Sequence, residues 1–375
     1  MLYQEIATFV EIADYGHLRT KEYKKEQLGF LLSAQKQEWL NDAEIVLLGC
    51  GERRGMGANA AHSRAANIVR EQLYELYNWH TTVRLFDAGN IIPGNSLQDS
   101  RVALGAVLET LHRAGKTVVL IGGSHDLTMQ QYEAYKRSNT LADITVVDML
   151  VDLQEDESIT HNTYLFDMLT SIPNFVRNFN LLGFQSFATS PSVLQTLDKL
   201  LFECTRLGKL RGDIEEAEPI IRRSHIVSVD INCIKHSDAP ANVNGSPNGL
   251  HGPEACTLTE YAGLSENCTS LGIFGFNEED DQHDMTAKQI AHMIWYFFNG
   301  RHYRAQEVAP NKESDVYEQY TVLFDNDHLL FYKNKHTARW WMLLPSGQFY
   351  PVSYKDYQKA MNGELSAAIH KELAR

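Results

Sequence analysis

The sequence predicts an α/β protein of three layers, αβα, with a mostly parallel sheet and helices on both faces. Three observations carry this. Residues 117–152, TVVLIGGSHDLTMQQYEAYKRSNTLADITVVDMLVD, read as strand, polar loop, helix, strand and polar loop, which is a βαβ unit. Further short apolar runs, Glu44 to Leu48, Val83 to Phe86, Phe179 to Gly183, His225 to Val229 and Ser270 to Phe276, suit strands buried on both faces. Helical spacing of apolar residues fills the intervals between them.

Taken in order, residues 1–40 carry helical patterning with mixed charge and form an N-terminal extension. Residues 41–300 form the α/β domain, and residues 301–375 a C-terminal extension with short strands and a helix. The first strand, Glu44 to Leu48, ends in a Gly-rich loop, Gly49 to Gly57. That loop meets neither Gly-x-Gly-x-x-Gly nor Gly-Lys-Ser/Thr, so phosphate cradling is the weaker reading. Arg53 and Arg54 are solvated there or meet a substrate carboxylate. A strong helix, ANAAHSRAANIVREQLYEL, follows. Leu97 to Ala114 and Leu127 to Lys136 are helices flanking the strand Thr117 to Ile121, which stops at Gly122-Gly123. Leu153 to Thr163 is an acidic exposed loop, in which His161 is a plain loop residue or a proton shuttle.

Pro191 to Leu207 reads as a helix stopped by Gly208, and Lys209 to Arg223 as a solvated helix face. Lys235 to Pro253 is a long polar loop whose His236, Asp238 and His251 are solvated or join the site. Asn277 to Asp281 caps the next helix, Thr286 to Phe298, or touches the pocket. The tail holds aromatic strands, Tyr320 to Phe324, Leu329 to Tyr332 and Trp340 to Leu344. Trp340-Trp341 with Arg339 forms either an interface patch or the core of a small subdomain.

Three strand ends deliver chemistry on one side of the sheet. The first gives His125, the second Asp148 with Asp152 four residues on, and the third Asp230 with Asn232 two residues on. A single Asp after a strand is usually a helix cap. His125, Asp148, Asp152 and Asp230 together are better read as metal ligands, one imidazole and three carboxylates suiting manganese or another hard dication.

The stretches Gly122-Gly123-Ser124-His125, Asp148-Met149-Leu150-Val151-Asp152 and Ser228-Val229-Asp230-Ile231-Asn232, with Pro240 downstream, resemble the motifs of the ureohydrolases (arginase, agmatinase, formimidoylglutamase). The order and spacing fit over roughly residues 44 to 300, and the acidic Asp126 after His125 is most similar to the formimidoylglutamase branch. Gly57-Ala58, Val69-Arg70 and Asp87-Ala88-Gly89-Asn90 stand where the family has comparable residues, the last usually structural. The resemblance implies an arginase-like fold and metal-dependent hydrolysis of a formimino or guanidino C–N bond in a small molecule. It implies metal ligation by His125, Asp148, Asp152 and Asp230, with Asp148 and Asp230 bridging and taking part in catalysis, and Glu254 pairing with the substrate's cationic group.

The chain departs from the family at the second metal. Leu150 stands where the family has a His and Asn232 where it has an Asp. Leu has no lone pair, and the neutral Asn carbonyl does not balance a dication. Two cations about 3.5–4 Å apart can share a water and lower its pKa; a lone one acidifies and aims it less. His161 to Phe166 also lacks the Arg of the formimidoylglutamase stretch that meets substrate. The expectation is therefore one divalent cation, manganese, or none, in a protein impaired or silent as a standard ureohydrolase; the alternative is an active one-metal hydrolase.

Composition bounds the rest. A formal charge of −14 over 375 residues, with no basic patch, argues against nucleic acid and anionic membranes. No apolar run would span a bilayer, and the N-terminus lacks a basic n-region. Five Cys without a CxxC spacing read as reduced thiols and a cytoplasmic location. A homo-oligomer is implied by the resemblance alone.

Overall fold

The computed structural model describes residues 1–11, 16–57, 62–154, 159–200, 202–305, 307–312, 314–325 and 327–374. Ala58, and residues 155–158 of the loop expected to be exposed, lie outside them. The strands are β1 (Val10–Glu11), β2 (Ile45–Cys50), β3 (Leu85–Ile91), β4 (Thr117–Gly122), β5 (Ala142–Val147), β6 (Val176–Phe184), β7 (Glu203–Arg206), β8 (Ile226–Asp230) and β9 (Ser270–Phe274). They form one nine-stranded sheet in the order β1-β3-β2-β4-β9-β8-β5-β6-β7. Only the β1–β3 pairing is antiparallel. The arginase-like αβα fold expected from the sequence is the fold observed.

The helices are α1 (Leu2–Ile6), α2 (Gly16–Thr20), α3 (Leu28–Ser33), α4 (Ala65–Glu75), α5 (Leu97–Arg113), α6 (Thr128–Arg137), α7 (Tyr164–Thr170), α8 (Pro191–Lys199), α9 (Leu207–Gly212), α10 (Ala217–Arg223), α11 (Gly252–Leu264) and α12 (Met285–Arg304). Alternate strand residues point to opposite faces. Ile45, Leu47, Val119, Ile121, Leu271 and Ile273 pack with residues of α4, α11 and α12. Their neighbours Val46, Leu48, Val118 and Leu120 pack with α5, while Ile144 and Val146 pack with α6, α7 and α8. Every one of these strand residues is at most 1% exposed, which is why the strands read as continuous apolar runs.

A second sheet, four-stranded and antiparallel, joins β10 (Tyr317–Phe324), β11 (Asp327–Asn334), β12 (Trp340–Leu343) and β13 (Phe349–Val352), followed by α13 (Tyr354–Met361) and α14 (Ala367–Leu373). Trp340 and Trp341 are buried, with Trp340 stacked on Tyr357, so they build a core. The Arg222 guanidinium lies 4.3 Å over the Trp341 ring and donates to the Trp340 carbonyl at 2.9 Å, joining α10 to the second sheet.

Three elements differ from expectation. The helix expected over 191–207 ends at Lys199, and β7 follows as an edge strand. Gly208 is therefore not a stop; it lies inside α9. Second, the expected solvated face over 209–223 breaks into short helices, and α10 buries Ala217, Glu218, Pro219, Ile221 and Arg222 because the second sheet covers it. Third, the N-terminal stretch is not wholly helical, since Val10–Glu11 adds a strand to the sheet edge.

Candidate metal centre

The parallel register sets the site. Val147 pairs with Val229, so the next residues, Asp148 and Asp230, leave the sheet side by side. Asp230 pairs in turn with Phe274 of β9. His125 leaves the end of β4 on a single turn of 3-10 helix. Its Nδ1 lies 3.0 Å from Asp148 Oδ2, 3.1 Å from Asp152 Oδ2 and 3.6 Å from Asp230 Oδ2. The structure thus brings all four expected ligands together, and His125, Asp148 and Asp230 each offer one atom within 4.8 Å of the others.

Local geometry holds each group in place. Asp148 Oδ1 accepts from the Leu150 amide at 2.7 Å, and Asp230 Oδ1 from the Asn232 amide at 2.8 Å. The second oxygen of each carboxylate is thereby left facing His125. Asp148 Oδ2 is buried and makes no hydrogen bond of proper geometry among the described residues. An oxygen of this kind in a dry site fits a cation. Gly275 follows β9 with φ +82°, and a Cβ there would lie 2.5 Å from Asp230 Oδ1, so glycine is required beside the ligand. Asp126 is equally confined: Ser124 Oγ donates to it at 2.5 Å and Arg101 pairs with it at 2.5 Å, fixing the loop that carries His125.

Electrostatics follow from burial. Burial, reinforced by the Asp148 charge, pushes the Asp230 carboxyl up to about 7. The same two causes raise Asp152 well above the usual carboxylate range. Burial alone would lower the His125 pKa, but the Asp148 and Asp152 carboxylates facing Nδ1 override it and hold it well above its ordinary value. Crowded carboxylates of this sort repel unless protons or a cation lie among them.

A cavity of about 10 Å³ opens on this group, lined by Met56, His125, His161, Asp230, Asn232, Asn242, Val243, Asn244 and Gly275. Asn232 is turned inward, its Oδ1 accepting from the Met149 amide at 3.1 Å. His161 is at the mouth, with Nδ1 3.1 Å from the Gly55 carbonyl. Glu254 is not among the lining residues. Its carboxylate caps the start of α11 by accepting from the His251 amide at 2.7 Å, and it pairs with Arg211 at 3.0 Å. Asp238 and His251 also brace that helix start. Arg54 is spent on Glu52 and on carbonyls of the neighbouring loop, and Arg53 faces Glu278 at 3.8 Å. Asp281 caps α12, and Glu278 accepts from Ser63 and Arg64.

Sequence reasoning missed the groups behind His125. Ser228 Oγ lies 3.0 Å and the Tyr164 hydroxyl 3.3 Å from Nε2, and Thr128 Oγ1 lies 2.6 Å from Ser228 Oγ. Ser228 sits inside a quoted motif, and its place two residues before Asp230 was a usable signal, since it points to the same sheet face. Nothing local marks Tyr164 as returning to His125.

The model of a family described as the arginase family matches residues 43–299. The formimidoylglutamase of Staphylococcus haemolyticus is 22% identical over 294 residues, covering 74% of this chain and 93% of that one. The formimidoylglutamase of Lysinibacillus sphaericus is 22% identical over 273 residues, covering 68% and 84%. Among solved structures, Trypanosoma cruzi formiminoglutamase with Mn2+ superposes with a TM-score of 0.67 at 20% identity, covering 74% of this chain and 99% of that one. The agmatine ureohydrolase of Thermoplasma volcanium gives 0.62 at 17% identity, covering 78% and 99%.

Proposed function

Because this chain belongs to the arginase family, we propose that it is a hydrolase-fold protein that keeps one of two metal positions and has lost the other. His125, Asp148, Asp152 and Asp230 would hold one hard dication, manganese. Such an ion, when bound, supplies Lewis acidity that makes a water more nucleophilic at neutral pH. The chain's own part is to aim four donors at one point, exclude bulk water and position the group to be attacked.

The observation that carries the reading is the state of the second position. Leu150 brings no donor there, and Asn232 spends its carbonyl oxygen on the Met149 amide. Asp148 and Asp230 alone do not make a second site for a dication. The cavity supports the same reading: about 10 Å³ holds roughly one water, far below the several hundred cubic ångströms of a usual ligand pocket. Glu254, expected to meet a substrate cation, would first have to release Arg211. The proposal is therefore a one-cation member, silent or strongly impaired toward formimino and guanidino compounds. A cytoplasmic location, read from the unpaired cysteines, and a homo-oligomeric state, read from family likeness alone, complete it.

The test is metal content after loading with Mn2+, together with release of formamide or urea from N-formimino-glutamate, arginine and agmatine. One ion per chain and turnover at background are expected. No bound ion, two ions per chain, or efficient turnover of any of the three overturns the proposal.

A further inference from the structure

Both ring nitrogens of His125 are engaged, but by different chemistry. Nδ1 faces the carboxylates; Nε2 faces only hydroxyls among the described residues, those of Ser228 and Tyr164, with Thr128 behind Ser228. All three hydroxyl residues are 0% exposed. The Tyr164 ring also packs edge-on against the imidazole, centroids 5.1 Å apart at 60°, and Phe274 packs on it at 5.5 Å.

We propose that Tyr164 is a positioning residue of the metal centre, its hydroxyl acting with Ser228 and Thr128 to fix the His125 ring with Nδ1 bare toward the cation. This rests on the one-cation reading above. An imidazole that gives Nδ1 to a cation must carry its proton on Nε2. In a site this dry, an N–H without an acceptor is costly, because it gives up water and gains no partner. Ser228 Oγ and the Tyr164 oxygen supply that acceptor. Hydroxyls can also donate, so the Thr128–Ser228 pair stays satisfied whichever way its protons point. A carboxylate behind a ligand His raises the basicity of the ring; neutral hydroxyls orient it without adding a fourth negative charge to three already crowded ones.

The placement of Tyr164 adds a second consequence. Asp152 reaches Nδ1 and Tyr164 reaches Nε2, so the β5–α7 connection grips one imidazole from both ends. Tyr164 opens α7 directly after Thr163, in the stretch where the formimidoylglutamase resemblance would place a substrate-contacting segment. In this chain that stretch is turned to holding a ligand.

The experiment titrates Co2+ and Mn2+ into the full chain and its Tyr164→Phe variant, against a chelator of known affinity. The visible absorption of the cobalt form is recorded alongside. Phe keeps the ring contact and removes only the hydroxyl. Expected are unchanged stoichiometry, affinity lower by about tenfold or more, a shifted cobalt spectrum, and a metal-free melting temperature close to the parent's. Thr128→Val, which breaks the hydroxyl pair from the other side, should move affinity the same way, and it decides the matter if Tyr164→Phe does not fold. A folded variant with parental affinity and spectrum overturns the role of Tyr164 while leaving the one-cation reading intact. A parent that binds neither ion overturns that reading and this role with it.

Discussion

At the residue scale, the meeting of His125, Asp148, Asp152 and Asp230 was legible because they come from strand ends with fixed spacing, and spacing survives folding. Glu254 was named from the family resemblance alone, and in the structure it turns to Arg211 and the His251 amide. Leu150 and Asn232 allow a direct prediction. The paired substitutions Leu150→His and Asn232→Asp should raise Mn2+ content from one ion to two per chain, measured by elemental analysis, and an unchanged count would show that these positions were misassigned. A second prediction concerns Arg70, whose guanidinium donates to both oxygens of Asp87, at 2.7 and 3.0 Å, with both side chains at 0% exposure. Removing one partner of such a pair strands the other charge, so Arg70→Ala should cost roughly 3–5 kcal/mol in denaturant unfolding. A loss under 1 kcal/mol would mean water reaches Asp87.

At the element scale, the parallel strands and long helices were visible because burial on both faces leaves continuous apolar runs and a stripe leaves a 3.6-residue period. The region 191–223 was not. Strand β7, Glu-Cys-Thr-Arg, lies at the sheet edge with no fully buried residue, so it carries no run to read. Helix α10 looked solvated because what covers it comes from residues more than a hundred positions away. Capping is a local signal and can be tested locally. Ser96 accepts from the Asp99 amide at 3.1 Å and opens α5 in a capping box. Ser96→Ala should therefore lose about 1 kcal/mol by chemical denaturation, and an unchanged midpoint would show that water replaces the cap. Gly275 belongs to the same scale. Gly275→Ala combines φ +82° with a Cβ against Asp230, so it should destabilise the fold by roughly 1–3 kcal/mol and weaken cation binding. Parental Mn2+ affinity in that variant would refute the close approach.

At the scale of the whole molecule, buried imidazoles set the response to acid. Burial pushes His112 down to about 4, and it packs 5.1 Å from the Tyr135 ring. Burial likewise lowers His80 and His225. Between pH 6.5 and 4 the unfolded chain protonates His112 while the folded one does not. Its contribution is thus complete above about pH 6.5 and is lost as pH falls, by up to roughly 3 kcal/mol. His112→Leu should flatten that part of the unfolding free-energy profile between pH 7 and 4.5; parallel profiles for parent and variant would remove His112 as a cause. No helix among the described residues is long and apolar enough to cross a membrane, and the added edge strand β1 needed the assembled sheet to be seen.

The stacking of Arg222 on Trp341 bears on how the chain is made. A guanidinium 3% exposed inside α10 has its aromatic roof and its carbonyl acceptor on β12. During synthesis α10 therefore emerges from the ribosome long before that roof exists, and until β12 follows, Arg222 has only Glu218 of its own helix to pair with. Premature termination anywhere before Trp341 would leave a charged, half-docked helix on the sheet, the sort of surface on which chaperones and proteases act.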